Sequence, residues 1–136
     1  MRLANVSVMW KILLIGAFGG AGAISRYLVT TLAVYWFGTA FPIGTLVVNV
    51  VGCFLLGLLF QVAQTSDLLS DDWLHGISVG FLGGLTTFST LGYETYARLE
   101  NSMWRAATAN VLLNLALGLL AVWAGISVAR FCLAQT

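Results

Sequence analysis

The chain of 136 residues is 60% hydrophobic and 8% charged, with a formal net charge of +1 and a mean hydropathy of +0.94. A soluble domain usually carries about 25% charged residues, so the charges are too few to clothe a water-facing surface. The six basic residues, Arg2, Lys11, Arg26, Arg98, Arg105 and Arg130, are scattered, which excludes a basic patch for nucleic acid.

A bilayer core of roughly 30 Å takes about 20 apolar residues of helix. Four segments qualify, at about residues 12–36, 43–64, 73–96 and 104–131, and predict an all-α membrane domain filling residues 1–136. Lys11 ahead of an apolar run, with Ala21-Gly22-Ala23 behind it, has the look of a cleavable leader. The apolar stretch continues to Phe37, however, so it reads as a first span. A connector around Gly38-Thr39-Ala40 leads to Pro42, a suitable first-turn residue for the second helix. Asp67, Asp71 and Asp72 mark a polar loop in which Ser70 or Asp71 can cap the third helix. Arg98, Glu100 and Asn101 mark the last loop. Tyr35, Trp36, Trp73, Tyr96 and Trp104 fall near span ends, where amphipathic rings sit at a membrane interface.

Four spans put Arg2, Lys11 and Arg130 on one side and Arg98 and Arg105 on the other. Three against two is a nearly flat bias, and basic asymmetry is what orients a chain during insertion. The count fits either a weak single preference or a chain that inserts both ways and pairs with its inverted copy.

Polar side chains inside spans need partners or a wet cavity. Thr45, Asn49 and Cys53 recur at i, i+4 and i+8 on the second span, and Asn110, Asn114 and Gly118 repeat that spacing on the fourth. Such stripes either line a polar track or hydrogen-bond across helices and hold the bundle together. Cys53 and Cys132 lack a CxxC partner and read as packing residues.

In the third span, Gly83-Gly84-Leu85-Thr86-Thr87 is a poor continuous helix, since glycine costs about 1 kcal/mol in a helix interior. It predicts a broken helix over Gly83 to Thr86 whose freed carbonyls suit a hard cation. The alternative is that the glycines permit close helix packing, as Gly16 and Gly20 would in the first span. Glu94, near the end of the third span, is placed to reach water, and His75 reads as an interfacial residue. No nucleophile–base set, metal-ligand cluster or phosphate loop is present, so an enzyme is not expected.

Three runs carry a family resemblance: Gly19-Gly20-Ala21-Gly22-Ala23-Ile24-Ser25-Arg26-Tyr27, residues 42–57 from Pro42 through Asn49 to Gly57, and residues 80–90 from Gly80 through Thr86 to Thr90. With the weaker Asn110 to Gly118 run they resemble, in order, the Fluc (CrcB-type) fluoride channels, small bacterial membrane proteins that expel fluoride. The resemblance implies a fluoride-selective channel in the bacterial inner membrane, built as an antiparallel dual-topology homodimer with two pores. It implies a central structural sodium ion held by backbone carbonyls of Gly83 and Thr86 from both subunits. Thr45 and Asn49 match polar pore residues, Phe88 a phenylalanine whose ring edge faces the ion, and Asn110 and Asn114 polar pore positions of variable type. Arg26 matches a basic residue near the pore vestibule. The family usually writes Phe-Ser-Thr-Phe where this chain has Phe88-Ser89-Thr90-Leu91, so the second aromatic is absent.

Fluoride is small and strongly hydrated, so a pore must replace its water. Asn49 offers two N–H donors, the hydroxyls of Thr45, Ser89 and Thr90 one each, and an aromatic edge is positive. Asn49 is accordingly expected to serve conduction rather than folding. Two rivals remain: a small dual-topology multidrug exporter, which would want a glutamate in the first span, and a non-transporting membrane subunit. The first span holds no glutamate.

Overall fold

The computed structural model describes residues 2–66 and 68–134, with side chains from residue 8 onward. Asp67 and the side chain of Arg2 lie outside the described residues. Those residues form helices and connectors without a strand. Helix α1 covers Arg2–Phe37, α2 Ile43–Thr65, α3 Asp71–His75, α4 Gly83–Leu85, α5 Phe88–Glu100 and α6 Trp104–Leu133, with a π-helical stretch, Gly76–Leu82, between α3 and α4. Three helices, α1, α2 and α6, are long and apolar enough to cross a membrane.

The chain turns after α1 through Gly38, whose φ of +74° is the left-handed conformation that glycine adopts freely. Pro42 stands at the N-cap of α2 rather than in its first turn, and its carbonyl accepts the Leu46 amide at 3.2 Å. Ser70 occupies the N-cap position of α3 through its backbone alone, without a side-chain cap bond.

The long helices, α2 and α6, pack along one another, while α1 holds the third segment as far as α4. Beyond the break that segment passes to α6, against which α5 packs. Backbones come unusually close at these crossings. A β-carbon on Gly84 would lie 2.5 Å from the Gly19 carbonyl oxygen, and one on Gly22 would meet the Phe81 carbonyl. Gly16 and Gly20, the pair expected to face a neighbour, have nothing within 4 Å, so the contact face of α1 runs through Gly19 and Gly22 instead. Between these helices Val48, Leu59, Leu82 and Leu85 form the buried core, and Phe18 meets Trp73 edge-on at 5.8 Å.

Charges mark the two ends of the molecule. Lys11 on α1 bonds Asp71 and lies 3.5 Å from Asp72, so the start of α1 and the aspartate loop share one end. The hydrogen bond from Lys11 holds the exposed Asp71 carboxyl below the usual carboxylate range. Arg130 donates to Gln61 at 3.1 Å, placing the end of α6 beside the end of α2, at the aspartate-loop side. At the far end Arg98 reaches the Thr39 carbonyl in the α1–α2 connector at 3.4 Å.

Candidate functional site: a helix break joined to a buried polar track

Helical geometry persists through Gly83 and Leu85, and the break falls at Thr86 (φ −81°, ψ 159°) and Thr87 (φ −156°, ψ 120°). The break expected over Gly83 to Thr86 thus falls at the far edge of that stretch. Gly84 is spent on close contact with α1, whereas Thr87 is captured from across the bundle. Its N–H donates to Asn49 Oδ1 at 2.8 Å, and its carbonyl accepts from Asn49 Nδ2 at 3.2 Å. The Thr87 hydroxyl then caps α5 by accepting the Thr90 amide at 3.2 Å, with Ser89 Oγ 3.2 Å away. A continuous helix would have closed the Thr87 amide on the Gly83 carbonyl and the Thr90 amide on the Thr86 carbonyl. Both amides are diverted to side chains, so the Gly83 and Thr86 carbonyls lose those partners.

The two predicted stripes face each other. Asn49 Nδ2 also donates to Asn114 Oδ1 at 2.8 Å; Asn114 Nδ2 donates to the Asn110 carbonyl at 2.8 Å; Asn110 Nδ2 donates to Thr95 Oγ1 at 2.9 Å. This run from Thr87 to Thr95 is drawn from α2, α5 and α6; Asn110 is fully buried and Asn114 is at 6% exposure, while Asn49 and Thr95 are half-buried. Amides in such a chain alternate donor and acceptor, and none is charged. Cys53 lies one turn further along α2 in the wall of a cavity of about 330 Å³, which Asn49, Thr86, Phe88, Leu91 and Asn114 also line.

Residues 13–126 match the family described as CrcB-like protein, Camphor Resistance (CrcB). The chain belongs to the CrcB family. Its relatives include a protein of Geobacter sulfurreducens, 47% identical over 122 residues, or 90% of this chain and 98% of the relative. Others come from Geotalea uraniireducens, 44% identical with the same coverage, and Vibrio campbellii, 43% identical over 90% of this chain and 94% of the relative. All three carry the name fluoride-specific ion channel FluC. With its long apolar helices, this CrcB chain is a multi-pass membrane protein.

Other candidate residues of the CrcB chain lie around the track. Phe88, the first residue of α5, is 82% exposed, while Leu91 one turn on is buried at 7%. Both border the 330 Å³ cavity and an adjoining one of about 420 Å³. Arg26 is half-buried on α1, its carbonyl accepting the Thr30 hydroxyl at 2.9 Å, and joins none of these bonds among the described residues.

Sequence reasoning missed two residues. Thr45 is almost fully buried and donates its hydroxyl to Glu94 Oε1 at 2.9 Å, so Glu94 turns inward rather than out to water. Arg98, assigned to a loop, is buried on α5 and donates to the Glu94 carbonyl at 2.7 Å. The available signal was their spacing: an acid four residues ahead of a base places both on one helix face.

Proposed function

We propose that this chain is a fluoride-selective channel of the bacterial inner membrane, which lets fluoride leave the cytoplasm down its electrochemical gradient. In this reading the third segment is a fourth crossing, and two inverted copies form a dual-topology homodimer with two pores. The observation that carries it is the largely buried, uncharged run Thr87–Asn49–Asn114–Asn110–Thr95, in a chain whose relatives are named for fluoride conduction. An anion stripped of water needs several donors, and neutral donors in series let it enter and still leave. Along the path Asn49, Asn110, Asn114 and Thr45 offer amides and hydroxyls, Ser89 and Thr90 the hydroxyls beside the break, and Phe88 its positive ring edge. Leu91 forms an apolar stretch of the same path, and Arg26 draws anions to the vestibule.

A sodium ion at the dimer centre would be held by the Gly83 and Thr86 carbonyls of both copies. The donor set fits, because both carbonyls have lost their helical amides and hard cations take oxygen ligands. Bound there, sodium would supply the positive charge that satisfies them.

The test is fluoride efflux from liposomes holding the purified chain. Fluoride should leave far faster than chloride at equal gradients. Absence of a fluoride leak would return the chain to a subunit role, and export of organic cations instead would favour the multidrug reading.

A further inference from the structure

A buried carboxylate beside an anion path is an electrostatic contradiction, and Glu94 poses it. Its Oε1 accepts from Thr45, on the same α2 stripe as Asn49. Its neighbour Thr95 receives Asn110, the last amide of the track. An uncompensated negative charge at such a place repels an incoming anion over several ångströms of poorly screened medium.

The compensation is one helical turn away. Arg98 is 8% exposed, and its guanidinium is fixed by the Glu94 carbonyl at 2.7 Å and the Thr39 carbonyl at 3.4 Å. Among the described residues two buried polar side-chain atoms have no hydrogen-bond partner, Glu94 Oε2 and Arg98 Nε, one an acceptor and the other a donor. They sit on side chains at i and i+4 of one helix, the spacing at which opposite charges meet. The group bonded to the Glu94 carboxylate from another element is the uncharged Thr45 of α2; the uncharged Asn110 of α6 meets its neighbour Thr95, and the Thr39 carbonyl before α2 meets Arg98. On α5 the charged neighbour acting on it is Arg98, while Glu100 and, at the start of α6, Arg105 are exposed.

We propose that Arg98 is a positioning residue for conduction, which holds the Glu94 end of the polar track and cancels its charge so that a passing anion meets no net negative field. The guanidinium itself stays on the two carbonyls. The proposal rests on the fluoride-channel reading and adds a residue and a charge balance to it.

Fluoride efflux from liposomes, corrected for empty vesicles, tests it. Arg98→Gln should lower efflux at least about tenfold. Efflux should recover when the unbalanced charge is removed by a second substitution. In Glu94→Gln/Arg98→Gln, which carries neither charge, flux should exceed that of Arg98→Gln alone. Arg98→Lys keeps the charge without the planar fork; it should lose less than about threefold. A structural role would instead impair Lys and Gln variants alike, and direct binding of the anion by Arg98 would leave the double variant no better than the single. Either result overturns the proposal, as does full activity in Arg98→Gln. Loss of fluoride efflux from the unaltered chain sinks the channel reading itself, an outcome separate from all of these.

Discussion

An asparagine side chain offers two N–H donors and a carbonyl, and Asn49 spends both ends on its own chain. It receives the Thr87 amide and gives to Thr87 and Asn114, so it holds the break open as well as presenting donors to the track. Asn49→Leu should therefore do more than stop fluoride. It strands the amide of Thr87, a residue 7% exposed, and a buried group left unpaired costs about 1–3 kcal/mol. Thermal unfolding in detergent should show that loss, and an unchanged midpoint would return Asn49 to conduction alone. Phe88 and Leu91 divide differently. Phe88→Ile removes a positive ring edge and should cut fluoride flux strongly. Leu91→Phe should fold, because Leu91 borders two cavities, and should leave flux similar or modestly raised. Efflux at equal protein density compares them, and full activity in Phe88→Ile would remove the ring from the mechanism.

Among the elements, the long apolar helices were legible because hydropathy and length alone decide them: α2 begins at Ile43 and α6 at Trp104, as the spans predicted. The break was legible in kind and to within a few residues, but not to the residue. Glycine and threonine content shows where a helix is weak, yet the residue at which it parts is chosen by Asn49, which lies 38 residues earlier in the chain. Glu94 was misread for the same reason, since its inward turn depends on Thr45 of another helix. The glycines at the α1–α4 crossing and along α1 make a sharper test of elements in contact. Gly84→Val would drive a side chain into the Gly19 carbonyl, and overpacking of that kind costs about 1–3 kcal/mol. Gly20→Ala meets nothing within 4 Å and should hold or raise the unfolding midpoint, since alanine is favoured over glycine inside a helix. Equal effects from the two substitutions would contradict the assigned contact face.

For the molecule as a whole, the charges fall at two ends in near balance, Lys11 and Arg130 at one and Arg98 and Arg105 at the other, with Arg2 ahead of Lys11 in the chain. Reporter fusions at the C-terminus should accordingly register on both sides of the membrane in comparable amounts; one dominant orientation would count against an inverted pair. Phe88 and Tyr93, 82% and 74% exposed, show how much aromatic surface α5 leaves uncovered within one copy. The π-helical stretch Gly76–Leu82 lies in the part of the third segment that packs on α1, ahead of the break beyond which α5 packs on α6. A π-turn holds one residue more than an α-turn, and in an α-helix a single residue turns everything beyond it by about 100°. The stretch is thus a phase setting for the run that leads along α1 to the break. Length can drift in the connectors without changing which faces meet, but losing one residue from Gly76–Leu82 would swing Thr87 off Asn49 and uncouple the break from the track.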